Sequence, residues 1–304
     1  MHPAPSIIVF TTLSGLGYGL AAALGLGLLD PAATATKAGH VLALVLIAAG
    51  LLSSTLHLRN PQRAWRALSQ WRSSWLSREG VMAVLTFIPL TVGAFASLFL
   101  ERYLPPVGIL GALSSLVTVY CTAMIYASLR SVQGWNTPLT WACYLAFSVA
   151  GGLVLASVLS ALGGNGPQSL PWLGAAAIVV ALVIKNAWWQ RLDSLVPLST
   201  PETATGLGAI GRVQLFEPPH MNGNYLTREM GFTVARKHAG KLRAIALVAA
   251  AASLLLLVAA ALSGDVLAAA ACLLALLAFC IGMLVERWLF FAEARHAVMN
   301  YYGG

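Results

Sequence analysis

Three residues of this chain, His57, Arg63 and Glu79, have side chains suited to moving protons at a bound molecule. An imidazole titrates near neutral pH, so His57 could donate a proton to one carbonyl oxygen of a quinone. The Glu79 carboxylate could exchange a second proton with water, and Arg63 could hold that carboxylate or a negative charge on the quinone. These residue types predict a binding site for quinone, either ubiquinone or menaquinone.

Each of the three residues also has a simpler interpretation. Glu79 follows Ser77, a plausible N-cap residue, and a carboxylate in the first turn of a helix is favourable on dipole grounds. His57 could bind a carbonyl at a helix end, and Arg63 could contact a lipid phosphate. Spacing alone leaves both interpretations open.

The elements that must position these residues are membrane-spanning helices. The chain has 304 residues, of which 59% are hydrophobic and 9% charged. This composition is typical of a polytopic membrane protein rather than a soluble enzyme. Eight apolar stretches are long enough to cross a bilayer at about 20 residues each. The predicted spans are 6–28, 38–57, 81–100, 107–129, 139–161, 170–185, 244–264 and 266–287.

Charge predicts the orientation of these spans. If they alternate across the membrane, both termini and the loops 58–80, 130–138 and 186–243 lie on one face. Of the 18 Lys and Arg residues, all except Lys37 and Arg102 then belong to that face. The positive-inside rule places it in the cytoplasm, which predicts a multi-pass protein of the bacterial inner membrane. Membrane lipid explains the net charge of +8, so no nucleic-acid partner is expected.

The predicted fold is a single all-α membrane domain over 1–304. Short connections divide its eight helices into two groups of four, with the termini on the same side. Gly15 and Gly19 form a small-xxx-small pair that would allow two helices to approach closely. Away from the ends of the predicted spans, the helix interiors contain no Asp, Glu, Lys or Arg. This argues against a proton pump or ion-coupled carrier. The chemistry is therefore expected near an interface.

Two segments outside the spans are too distinctive to be simple connections. In 58–80, Trp65, Leu68 and Trp71 recur at near-helical spacing with arginines between them, which predicts an interfacial amphipathic helix. The loop 186–243 is long, polar and rich in Pro and Gly. Loops of this length usually have a function, and docking of a soluble subunit is the preferred interpretation; a solvated linker is the alternative.

Resident redox centres are not expected in this chain. Its four cysteines are isolated, and no Cys-x-x-Cys occurs. The six histidines fall at predicted helix ends or in loops, which disfavours a haem held between helices. We therefore predict no haem, no metal site and no catalytic residues of its own for a soluble substrate.

One stretch of the sequence resembles a known family. His57-Leu58-Arg59-Asn60-Pro61-Gln62-Arg63-Ala64-Trp65, followed by Ser77-Arg78-Glu79, is similar to the pattern of the dimethyl sulfoxide reductase membrane-anchor family (DmsC-like). That pattern is His-Leu-x-x-Pro-x-Arg-Ala-aromatic after the second helix and Ser-x-Glu at the third. The eight-helix plan matches over essentially the whole chain.

The resemblance implies a membrane subunit that docks a four-cluster iron–sulfur subunit and a molybdopterin catalytic subunit. It would pass electrons between the clusters of its partner and membrane quinone. His57 and Glu79 would be quinone-site residues, supported by Arg63, and the iron–sulfur clusters and molybdopterin would belong only to the partners.

The predicted orientation favours one branch of that family. In the reductase prototype the catalytic subunits are exported, whereas this basic docking face is predicted to be cytoplasmic. The chain is therefore more similar to the anchor of the cytoplasm-facing sulfite-oxidising enzyme (SoeC-like). The alternatives are a DMSO reductase-type anchor that oxidises menaquinol, a transporter, and a purely structural anchor.

Overall fold

The structure, a computed structural model, is an all-helical bundle. It describes residues 3–56, 58, 60–163, 167–214, 216–217, 222, 230 and 234–302, with no strand in these ranges. Nine α-helices and two 3-10 helices lie in them. They are α1 Pro5–Gly25, α2 Thr34–Thr55, the 3-10 helix Pro61–Gln70, α3 Trp75–Leu100, α4 Pro105–Ala127, α5 Pro138–Gly163, α6 Ser169–Asp193, α7 Pro201–Thr205, α8 Val234–Leu262, α9 Asp265–Ala292 and the 3-10 helix Ala297–Tyr302.

The eight predicted membrane spans are confirmed as helices. All α-helices except the short α7 are long and apolar enough to cross a bilayer. Several extend beyond the predicted limits: α3 begins at Trp75 instead of 81, α6 continues to Asp193 and α9 to Ala292. Eight alternating spans place both chain ends on the same side of the bundle. We call this side, which carries most of the Lys and Arg residues, the basic face.

The first helix holds the two four-helix groups together. One group is α1–α4, and the other is α5, α6, α8 and α9. Helix α1 is largely buried and packs against both α4 and α5. Its own sequence is almost uniformly apolar or small, as expected for a helix without a solvent or lipid face.

The seam between the groups depends on small residues. A Cβ atom at Gly19 of α1 would lie 1.8 Å from the carbonyl oxygen of Ser148 on α5. The hydroxyl of Ser148 donates to the Gly15 carbonyl at 2.7 Å. Of the predicted Gly15/Gly19 pair, Gly19 therefore allows the close approach, whereas a Cβ atom at Gly15 would meet nothing within 4 Å. The partner helix supplies Ser148 and Gly152 at the same four-residue spacing.

The segments predicted to lie outside the membrane contain more helix than expected. Residues 186–193 belong to α6 and 234–243 to α8, so the long connection runs from 194 to 233. Within it, Thr200 and Thr203 form a capping box that begins α7. Within this connection, residues 222–232 combine turn residues with aromatic and basic ones, and most of them lie outside the described residues.

Candidate functional site

The buried carboxyl group of Glu79 is the centre of the candidate site. Helix α3 begins at the N-cap Ser74, whose hydroxyl accepts the Ser77 amide, and not at Ser77 as the sequence suggested. Glu79 therefore lies in the second turn, roughly 6 Å from the helix start at 1.5 Å per residue. It is only 5% exposed. A favourable interaction with the helix dipole therefore does not explain the position of Glu79, since that interaction fades beyond the first turn.

Helix α4 supplies the polar partner of this carboxyl group. The Thr122 hydroxyl lies 2.5 Å from Glu79 Oε1 and also 3.1 Å from the Thr118 carbonyl oxygen. Two turns along α3, Thr86 pairs with Thr118 at 3.0 Å. The α3–α4 contact thus carries a ladder of buried hydroxyl groups with Glu79 at its basic-face end.

No cation neutralises Glu79 among the residues that the structure describes. Tyr18, Cys121 and Tyr126 lie within electrostatic range of it. An unpaired carboxylate buried among apolar and hydroxyl groups is costly in its charged form. Such a group can hold a proton and release it to an acceptor, which is what proton transfer at a bound molecule requires.

The 3-10 helix Pro61–Gln70 covers the start of α3. A Cβ atom at Gly80 would lie 2.7 Å from Leu68 Cδ2, so Leu68 packs directly on the turn that carries Glu79. The Arg78 guanidinium donates to the carbonyl oxygens of Trp71 at 3.0 Å and Arg72 at 2.7 Å. It also lies 4.2 Å from the centre of the Trp75 ring. These contacts fix the amphipathic segment over the carboxyl group.

The three predicted site residues are placed differently. Glu79 is buried and hydrogen-bonded, whereas Arg63 is exposed on the 3-10 helix and makes no ion pair with Glu79. His57 lies outside the described residues. A role for His57 and Arg63 at the site stays a prediction.

The sequence analysis missed a second buried polar cluster, formed by Lys185, Glu286 and Arg287. Lys185 Nζ lies 2.5 Å from Glu286 Oε1, and Arg287 Nε lies 2.5 Å from Glu286 Oε2. All three side chains are at most 2% exposed. Aromatic rings complete the surroundings: Lys185 lies 3.9 Å from the centre of the Trp188 ring, and Arg287 lies 4.1 Å from that of Tyr144.

The prediction that helix interiors carry no charged residues was therefore wrong. It ended two spans at Lys185 and Arg287, as though each charge marked the membrane surface. The helices continue, placing these residues roughly 12 Å and 8 Å from their ends. The signal was in the sequence, since Trp188, Trp189 and the apolar stretch 288–292 follow the charges.

A third polar group lies at the basic face, where α6, α8 and α9 meet. Arg243 binds both carboxylate oxygens of Asp193, at 2.7 Å and 2.9 Å, and Glu293 at 2.8 Å. The Trp189 indole also donates to Glu293, at 3.2 Å. Burial raises the pKa of Glu293, and Arg243 opposes that shift.

Comparisons with known proteins agree with this architecture. Residues 1–292 match the family model "DMSO reductase anchor subunit (DmsC)". The chain is also 35% identical, over 331 aligned positions covering 99% of each protein, to a subunit of the sulfite dehydrogenase of Allochromatium vinosum. No solved structure matches the chain. The extent of both matches shows that this protein belongs to the DMSO reductase anchor subunit family, as a membrane anchor of a sulfite- or DMSO-type oxidoreductase.

Proposed function

We propose that this chain is the quinone-reactive anchor of a cytoplasm-facing, sulfite-oxidising enzyme with iron–sulfur and molybdopterin subunits. Electrons from sulfite would pass through the clusters of the partner to a quinone bound near Glu79. Each quinone would take two electrons and two protons and leave as quinol. The observation that carries the proposal is the carboxyl group near the basic-face end of α3, which is buried and pairs with no cation in the described ranges.

The surroundings of Glu79 fit a quinone headgroup. In its protonated form the carboxyl group would donate to one carbonyl oxygen of the ring, and Thr122 would hold it in place. The lipid-accessible parts of α3 and α4 would accommodate the isoprenoid tail. His57 and Arg63 are proposed as the proton donor at the second carbonyl oxygen and the cationic support.

A paired substitution in the assembled complex tests this role. In Glu79→Gln the amide cannot transfer a proton, so we expect turnover with quinone to fall about 100-fold or more. Activity with an artificial dye, which takes electrons directly from the partner subunits, should be unchanged. The control is Glu101→Gln, the same change at an exposed carboxylate on the opposite face. Unchanged quinone turnover in Glu79→Gln would contradict the proposed quinone site.

The predicted histidine and arginine are tested in the same assay. His57→Ala should slow quinone turnover and leave assembly and dye activity intact. Arg63→Gln should have a smaller effect, because its side chain is exposed. If the purified complex contained no iron–sulfur subunit, or if quinone bound a different subunit, the chain would be a purely structural anchor.

Orientation distinguishes the sulfite branch from an anchor that oxidises menaquinol for DMSO reduction. Even without the buried Lys185 and Arg287, fourteen of the 18 Lys and Arg residues remain on the basic face. This bias favours a cytoplasmic docking face. A cysteine introduced at Ala204, an exposed residue of α7 in the connection between α6 and α8, should then resist a membrane-impermeant maleimide in spheroplasts and react in inverted vesicles. Labelling of intact spheroplasts would favour the exported, DMSO-type arrangement.

The transporter alternative has to be judged on different evidence. The absence of buried charge no longer argues against it, because Lys185, Glu286 and Arg287 lie inside the bundle. The argument against a transporter now rests on membership of the anchor family. Flux of a solute into liposomes that contain only this chain would revive the alternative.

A further inference from the structure

A cleft of about 420 Å³ opens on the basic face. Four parts of the chain form its walls: the α4–α5 loop, the segment that follows α6, the first turns of α8 and the segment that follows α9. Most of its lining residues lie beyond the ends of the membrane spans. The cleft therefore opens on the side where a soluble partner would dock.

Hydrogen bonds between these segments shape the cleft before any partner binds. The Ala297 amide donates to the Ser131 carbonyl oxygen at 2.8 Å, which joins the C-terminal segment to the α4–α5 loop. Asn300 Nδ2 lies 2.6 Å from Ser199 Oγ, which joins that segment to the chain following α6. A preformed recess of this kind binds at a lower entropic cost than a loose loop does.

The carboxylates that line the cleft are already occupied. Asp193 and Glu293 both bind Arg243. Arg130 and Arg295, by contrast, are exposed and have no hydrogen bond, ion pair or ring contact with any residue that the structure describes. Among its described lining residues, the cleft thus presents free positive charge and no free negative charge.

Stabilisation of helix ends does not account for these two arginines. Helices α4, α6 and α9 all end at this face, and cations are favourable near helix C-termini. That effect fades beyond the last turn, and both arginines follow the helix ends without binding a terminal carbonyl group. Arg191, in the last turn of α6, is the residue placed to interact with the dipole of that helix.

The segment that follows α6 also exposes apolar side chains. Val196 and Leu198 are 76% and 79% exposed, although they belong to no membrane span and to no part of the core. Leu198 lines the cleft itself. Exposed apolar side chains next to unpaired arginines are typical of the centre of a protein–protein interface.

We propose that this cleft receives an acidic segment of the iron–sulfur partner subunit. Carboxylates of that segment would bind Arg130 and Arg295, and its apolar side chains would cover Leu198. The proposal rests on the proposed function, since it takes its partner from there. Charge complementarity selects the occupant: the unpaired charged side chains among the described residues of the cleft are the two arginines, so the docking segment is acidic.

Site-specific crosslinking in the full complex tests the location. A photo-crosslinking amino acid at Leu198 should form an adduct with the iron–sulfur subunit, and the crosslinked peptide should contain Asp or Glu. The same probe at Leu162, which is 59% exposed at the opposite end of the bundle, should form none. Adducts at Leu198 with lipid alone, or with a peptide lacking acidic residues, would overturn the proposal.

Charge reversal tests the chemistry. The double variant Arg130→Glu/Arg295→Glu should retain at least tenfold less iron–sulfur subunit on purification, because like charges would then face each other. Neither side chain has a partner in the described part of the chain, so the variant itself should elute as a monodisperse species. Changing the crosslinked partner carboxylate to arginine should restore binding. The control variant Arg66→Glu/Arg72→Glu reverses two charges on the same face but outside the cleft. If it lost as much iron–sulfur subunit, binding would depend on the overall charge of the face and not on the cleft, which would overturn the proposal.

The outcomes separate this proposal from the proposed function. A complex that still reduces quinone but crosslinks only elsewhere would overturn the cleft and leave the quinone role standing. A purified complex without any iron–sulfur subunit would overturn the proposed function and the cleft assignment together.

Discussion

The two four-helix groups each bury a glutamate, in opposite electrostatic surroundings. Glu286 lies between two cations, Lys185 and Arg287, each 2.5 Å away. Glu79 has a threonine hydroxyl and no cation among the described residues. A carboxylate bracketed by buried cations stays charged and contributes to structure, whereas an unpaired one can change its protonation state. Burial alone therefore does not identify a reactive carboxyl group; its partners do.

The strongest test of this contrast is the same substitution at both positions. Glu286→Gln leaves two cations buried without a counter-charge, so we expect a loss of about 3–5 kcal/mol in stability. Glu79→Gln removes no ion pair and keeps a hydrogen-bonding partner for Thr122, so stability should change little. Thermal unfolding in detergent, followed by fluorescence-detected size exclusion, measures both. Equal stability of the two variants would contradict the assignment of Glu286 as structural.

The next prediction concerns the seam that joins the two regions. Gly19→Ala places a methyl group against the Ser148 carbonyl of α5, so we expect α1 and α5 to separate at a cost of about 1–3 kcal/mol. Gly15→Ala is the matched control, because a Cβ atom there would meet nothing within 4 Å. The same unfolding assay compares them. If Gly19→Ala were as stable as Gly15→Ala, the close packing of α1 against α5 would be contradicted.

The smallest expected effect sharpens the role of Glu79. Thr122→Val removes the hydroxyl that positions the carboxyl group, a loss of about 1 kcal/mol, or roughly fivefold in quinone turnover. Thr122→Ser should restore turnover. The control Thr86→Val breaks the neighbouring Thr86–Thr118 pair without touching Glu79. Measuring kcat and KM separately, with dye activity as reference, shows whether the change acts at the site; an equal drop in Thr86→Val would point to a general packing defect.

Part of this site could be predicted from sequence because its pattern is local. The carboxyl group of Glu79 and the amphipathic segment before it are close neighbours along the chain. Its partner Thr122 could not be predicted, because it belongs to another helix and threonine is common in spans. The helix start was misplaced for a related reason: the serines at 74 and 77 are both acceptable N-caps, and only the packing of Trp75 against Tyr120 and Leu68 against Gly80 favours the earlier one.

Hydropathy and length determined by themselves that this chain forms eight spans, because a bilayer requires about 20 apolar residues for each. The spacing of Gly15 and Gly19 likewise indicated a close helix approach, although only the structure shows that Gly19 is the residue at the contact. The residues that follow Lys185 and Arg287 indicate that both helices continue, but only the tertiary structure decided what surrounds these two charges inside the bundle. A lone charge in a span normally marks its end, since water solvates it there. Here Glu286 and aromatic rings replace that water, and the contact between Lys185 and Glu286 joins residues far apart in the sequence, which no local pattern encodes.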